Sequence, residues 1–202
     1  MQWFNLHINH VSFSIHPEVH LRCEKSFIFY IAPRKLRTLA EMGQDIGHPE
    51  LLDLVAIFLF QQRNPGVDIP DISKCPKAID PGYSFSSAVA TFYAPSDFSG
   101  VNGMHHQYIH ASPSWRNGPP HYDCVFVEKD PTLPGFQGLF VAQVLLFFSF
   151  HYQNVYYPCA LVQWFTPVGN EPCIDTGMWK VEHEYDEDGD HLVSVIHLDS
   201  IL

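Results

Sequence analysis

Apolar positions recur in two different rhythms along this 202-residue chain. Leu51, Leu54, Val55, Phe58 and Leu59 are spaced three and four apart, which is the period of one helix face. Pro49 suits the first helical position, Glu50 and Asp53 complement the positive end of the helix dipole, and Asn64-Pro65-Gly66 stops the helix. Leu52, Ile57 and Phe60 are apolar as well, so the helix is expected to be covered on more than one side. A shorter, basic helix is expected over Arg34–Met42, ended by Gly43. Residues 1–33 follow neither period and are read as a leader of uncertain structure.

Beyond residue 64 the rhythm changes. Pro65, Pro70, Pro76 and Pro81, with Gly66 and Gly82, predict an extended linker over 65–82. Residues 83–202 then read as a β domain. Ser87–Tyr93 is rich in β-formers, and Tyr122–Glu128 is a compact apolar run between turns. Leu139–Tyr152 is long enough for a bent strand, and its even positions from Phe140 to Phe150 are wholly apolar, predicting one core face. Gln153-Asn154 separates it from Val155–Phe165 by the two residues of a tight hairpin. In Gly177–Tyr185, Trp179, Val181, His183 and Tyr185 alternate with Lys180, Glu182 and Glu184, predicting a half-buried strand. Leu192–Leu198 is apolar on both faces and predicts a central strand. The expected fold class is mainly β (α+β), a small antiparallel barrel or sandwich preceded by one or two helices over residues 34–64.

Charge divides the chain unevenly. Residues 1–100 carry 8 basic and 10 acidic side chains, whereas residues 101–202 carry 3 and 12. The β half is therefore not built to track phosphates, and direct nucleic-acid contact is confined to Arg34, Lys35 and Arg37. The longest apolar run, Leu139–Phe150, is interrupted by Gln143 and Ser149, which argues against a membrane span. Five widely spaced cysteines without a CxxC pair suggest free thiols in a reducing, intracellular setting.

Candidate chemistry is sparse. His105, His110, His121 and Cys124 offer nitrogen and sulfur donors for a metal, weighed against a solvated histidine cluster and a buried, inert thiol. Asp186, Asp188, Gly189 and Asp190 resemble part of a calcium loop, but its twelfth position is His197, so a solvated turn is expected. No nucleophile, phosphate-loop or dinucleotide motif occurs, and Asp97, Asp123, Asp175 and Asp199 are each explained by turns or strand ends. No catalytic residue and no cofactor are expected. Trp115, Trp164, Trp179 and Tyr185 lie in the acidic half and are candidates for binding a basic peptide through ring faces, the alternative being core packing.

The blocks Ala90–Met104, Pro113–Asp130, Phe147–Phe150, Tyr157–Phe165, Asp175–Glu182 and Ser194–Leu202, taken in order, resemble the C-terminal region of proteins encoded by fungal Plavaka-type DNA transposons, related to the CACTA and KDZ elements. The resemblance runs from about His48 to Leu202. It implies a non-catalytic accessory or interaction domain in the nucleus, its nuclease core upstream and its last element cut short at Leu202. It transfers no catalytic residue. The alternatives are an acidic, aromatic-rich reader of basic peptides or chromatin and, last, a zinc-dependent hydrolase.

Overall fold

The computed structural model describes residues 26–29, 36–69, 71–93, 104–115, 117–130, 132–133 and 135–202. Arg34 and Lys35, and most of the expected leader, lie outside them. The fold is mainly β with two helices, and its antiparallel sheets do not close into a barrel. Among the described residues no helix is long and apolar enough to cross a membrane.

The first helix, α1 (Leu39–Ile46), starts five residues later than the expected basic helix, because Thr38 caps it. The Thr38 hydroxyl accepts the Glu41 N–H, and the Glu41 carboxylate accepts the Thr38 N–H, a reciprocal capping box. Gly43 does not end this helix. It lies within it, where a Cβ would meet the His48 carbonyl oxygen at 2.4 Å, so the glycine serves a close approach and Gly47, at φ 78°, makes the left-handed stop. The second helix, α2 (Leu51–Arg63), stops where expected but starts at Leu51, with Glu50 as its N-cap and Pro49 outside it, and buries Leu51, Val55, Ala56, Phe58 and Leu59.

The strands form two sheets. In the smaller, β1 (Ser26–Phe29), β3 (Ser87–Tyr93), β4 (Met104–Ser112) and β5 (His121–Tyr122) are neighbours in that order. The segment expected as leader thus supplies a strand. The larger sheet is centred on the hairpin of β7 (Leu139–Tyr152) and β8 (Val155–Pro167). Its turn residues Gln153 and Asn154 both have positive φ, the backbone of a tight two-residue hairpin. The outer edge of β7 is shared by β2 (Tyr83–Phe85) and β6 (Cys124–Glu128), and that of β8 by β9 (Val181–His183) and β10 (Val193–His197).

A bulge decides how the layers pack. The β7–β8 register shifts between Val144 and Leu146, so the even positions change face part-way along β7. Ala142 and Val144 face the small sheet, packing with Ala88, Ile109, Ala111 and, beyond the bulge, Phe147. Leu146, Phe148 and Phe150 face the other way and pack against Leu39, Met42, Val55 and Phe58 of the helices. The single apolar face expected from Phe140 to Phe150 is therefore two half-faces, and the order is small sheet, large sheet, helices. Phe147 and Phe148 are both fully buried, each on its own side.

Three further expectations are corrected. β10 lies at the edge of the large sheet rather than its centre, and its second face is covered by α2. Residues 177–180 are not strand, and Tyr185 is 58% exposed rather than buried. The stretch 65–82 contains a 3-10 turn at Ile72–Lys74 and buries Cys75 and Ala78, with Ala78 in the helix-side core, so it packs rather than links.

Candidate functional site

Strand parity determines which histidines can meet. Successive side chains of a strand point to opposite faces, so His105 and His110, five apart on β4, cannot share one. His105 pairs across the strands with Phe92 and stacks on its ring at 5.8 Å, while Ile109 and Ala111, of the same parity, enter the core. His110 turns to the opposite face. There the β4–β5 ladder, with Ala111 opposite Tyr122 and Ser112 opposite His121, brings His121 alongside it. The two rings lie 5.2 Å apart.

The third member of the group is Asp123, which the sequence explained by a turn or strand end. It stands two residues beyond His121, the spacing that returns a strand side chain to the same face. Asp123 Oδ2 accepts from His110 Nδ1 at 2.9 Å, and Oδ1 accepts from His121 Nε2 at 2.9 Å. Oδ2 also accepts the His110 backbone N–H at 2.7 Å, which fixes the carboxylate independently of either ring. The Asp123 main chain ties the two sheets together: its N–H donates to the His110 carbonyl and its carbonyl accepts from Val144. The donor set rests on paired backbone, not on a loop. Trp115 closes one side, its ring 4.4 Å from that of His110 and 5.3 Å from that of His121.

One atom from each of His110, His121 and Asp123 lies within 4.8 Å of the others, a set able to hold a metal ion. The fourth sequence candidate does not join. Cys124 opens β6 opposite Gln143, and burial, assisted by the Asp123 charge, pushes its thiol up to about 11. Its sulfur is not among the donor atoms that lie within reach of one another.

The aromatic candidates do not converge on one cage. Trp115 belongs to the histidine group, Trp164 is half-buried and donates from its indole nitrogen to Ser194 Oγ at 2.7 Å, and Tyr185 stacks on His191 at 5.0 Å. Trp179 alone of the four lines a groove of about 520 Å³ at the β8–β9 end of the large sheet. Its ring stacks on Phe136 at 4.5 Å and 15°, with Phe140, Phe165 and Glu184 completing the walls. Phe136 and Phe140 were not singled out by sequence, since an aromatic in a Pro/Gly loop and one on a core-reading strand carry no binding signal. Lys129 Nζ lies 5.2 Å from the centroid of the Phe140 ring.

The acidic turn is self-contained, as expected. Asp186 Oδ1 accepts the N–H groups of Asp188 and Asp190 at 3.0 and 2.9 Å, and Gly189 supplies the positive φ. Beside it, the rings of His183 and His191 lie tilted to each other at 4.4 Å, and Gln163 donates from its side-chain amide to His183 Nδ1 at 2.7 Å. Loss of surrounding water, and secondarily the charge of His191, holds His183 below the ordinary histidine value. Arg37, the described residue of the expected basic cluster, is ion-paired with Asp45. Comparison of the chain with protein families, with curated proteins and with solved structures gave no match.

Proposed function

We propose that this chain is a non-catalytic interaction domain that takes a cationic, lysine-rich segment of a protein partner into the groove formed by Phe136, Phe140, Trp179 and Glu184. The observation that carries the reading is the stacked Phe136–Trp179 pair lining the groove, an aromatic surface suited to an ammonium, whereas the Phe140 ring already has Lys129 over it. The surplus of acidic side chains in residues 101–202 supports it, as does Glu184 in the wall. An accessory role in the nucleus is also what the resemblance to transposon-encoded proteins implies. The reader alternative differs only in the partner, a chromatin tail being one lysine-rich segment among others.

The test is a fluorescence titration of the full chain with lysine-rich peptides at low salt, repeated with Trp179→Ala. The reading expects saturable binding that weakens with added salt and falls at least about tenfold in the variant. Absence of binding at low salt, or equal binding by the variant, overturns it.

A further inference from the structure

The group formed by His110, His121 and Asp123 lies on the small sheet, apart from the aromatic groove, and its chemistry is of another kind. We propose that these three side chains bind one divalent transition-metal ion of the zinc type, with the remaining coordination open to water.

Donor type argues first. Two imidazole nitrogens and a carboxylate oxygen are the ligand set that zinc accepts when three protein groups leave a fourth position open. Geometry argues next. Each N···O separation is 2.9 Å and all three donor atoms fall within 4.8 Å, while the edges of a tetrahedron around zinc are roughly 3.3 Å. The ion therefore needs only small side-chain rotations. In the absence of metal each ring donates one N–H to the carboxylate. When the ion enters, it takes the place of those two protons, and each neutral ring carries its proton on the other nitrogen instead. No net proton release is required from the neutral rings, and no backbone has to move.

The supporting groups are already in place. The His110 backbone N–H on Asp123 Oδ2 orients the carboxylate, the role played by outer groups at metal sites. The side chains are 20, 45 and 32% exposed for His110, His121 and Asp123, which provides a route of entry and a solvent-facing coordination position. Trp115, edge-on to the His110 ring and tilted against that of His121, places a fluorophore beside the donor atoms. The other described histidine pair, His183 with His191, lacks a carboxylate bridging the rings: His183 Nδ1 takes an amide proton from Gln163.

The experiment uses the full chain after chelator treatment, titrated separately with zinc and with cobalt, with circular dichroism confirming the fold of every sample. One equivalent of zinc should bind, raise the melting temperature and change the Trp115 emission; cobalt should give visible d–d bands at the same stoichiometry. His121→Asn, at the most exposed ligand, should lower zinc affinity at least about a hundredfold without unfolding the chain. Asp123→Asn, which keeps an acceptor for the His110 N–H, should do likewise. Trp115→Phe should leave affinity intact and abolish the emission change. The proposal is overturned if the folded chain takes up no zinc near one equivalent, if both ligand variants bind as the parent does, or if Trp115→Phe keeps the emission response. The first outcome leaves a hydrogen-bonded histidine cluster only. The other two place the metal elsewhere on a histidine-rich chain.

Discussion

Two histidine pairs stand at strand ends on the two sheets, and they differ in one neighbouring group. At His110 and His121 that group is a carboxylate that accepts from both rings. At His183 and His191 it is the amide of Gln163, which donates to His183, and the rings lie tilted at 4.4 Å with no carboxylate among the described residues bridging them. The first environment sets an anion between two imidazole donors, as a metal ion requires, and the second disfavours positive charge, as the depressed titration of His183 indicates. Proximity of imidazoles therefore does not make a cation site. The third ligand does.

The comparison breaks most severely at Asp123. Asp123→Ala removes the acceptor of one backbone and two ring N–H groups and should cost about 2 kcal/mol of unfolding free energy, against less than about 1 kcal/mol for Asp123→Asn. Urea denaturation with chelator present separates this cost from any contribution of metal. If the two variants are equally stable, the carboxylate does not organise this corner of the fold. Next in size is the reciprocal change, Gln163→Glu, which places a carboxylate beside His183. It should move the titration of His183 upward, against the depression seen in the parent. Proton NMR of the ring follows this directly, and an unchanged titration would mean that the amide does not control the pair.

A smaller effect is the pH dependence of the parent chain. Because folding depresses the His183 pKa, the unfolded chain binds more protons than the folded one between the folded value and 6.5. The stability tied to a neutral His183 is accordingly present above pH 6.5 and is lost as the pH falls through the lower folded value. His191→Gln removes the repulsive contribution, the lesser of the two causes, and should shrink the loss without abolishing it. Melting curves between pH 7 and 5 test this, and a variant curve identical to the parent would dismiss the coupling between the rings. Least of all, Tyr185→Ala should change stability by only about 0.5 kcal/mol, since that ring is largely exposed. A loss of several kcal/mol would show that it packs as the alternation over Gly177–Tyr185 suggested.

The elements legible in the sequence were those specified by local pattern. The stripe of α2, the β7–β8 hairpin and β3 depend on period, turn residues and caps, and each lies where those signals put it. What could not be read depends on tertiary pairing. The bulge at Leu145 has no local signature, yet it exchanges the faces of Phe147 and Phe148 and turns one expected core face into two. Likewise, the apolar character of Leu192–Leu198 reflects cover from α2 rather than a central position, and periodicity does not distinguish the two. In the histidine group, parity alone would have separated His105 from His110 and joined Asp123 to His121 once β structure was assumed. The approach of β5 to β4 is a pairing across residues 113–120 that no spacing rule supplies.

The claim that a bridging carboxylate makes His110 and His121 a cation site, while His183 and His191 are not one, is tested most directly by long-range proton–nitrogen NMR of the imidazole rings before and after one equivalent of zinc. The account predicts that the Nδ1 resonance of His110 and the Nε2 resonance of His121 move to metal-bound positions while those of His183 and His191 stay fixed. Movement of the His183 and His191 resonances instead, or equally, would contradict it.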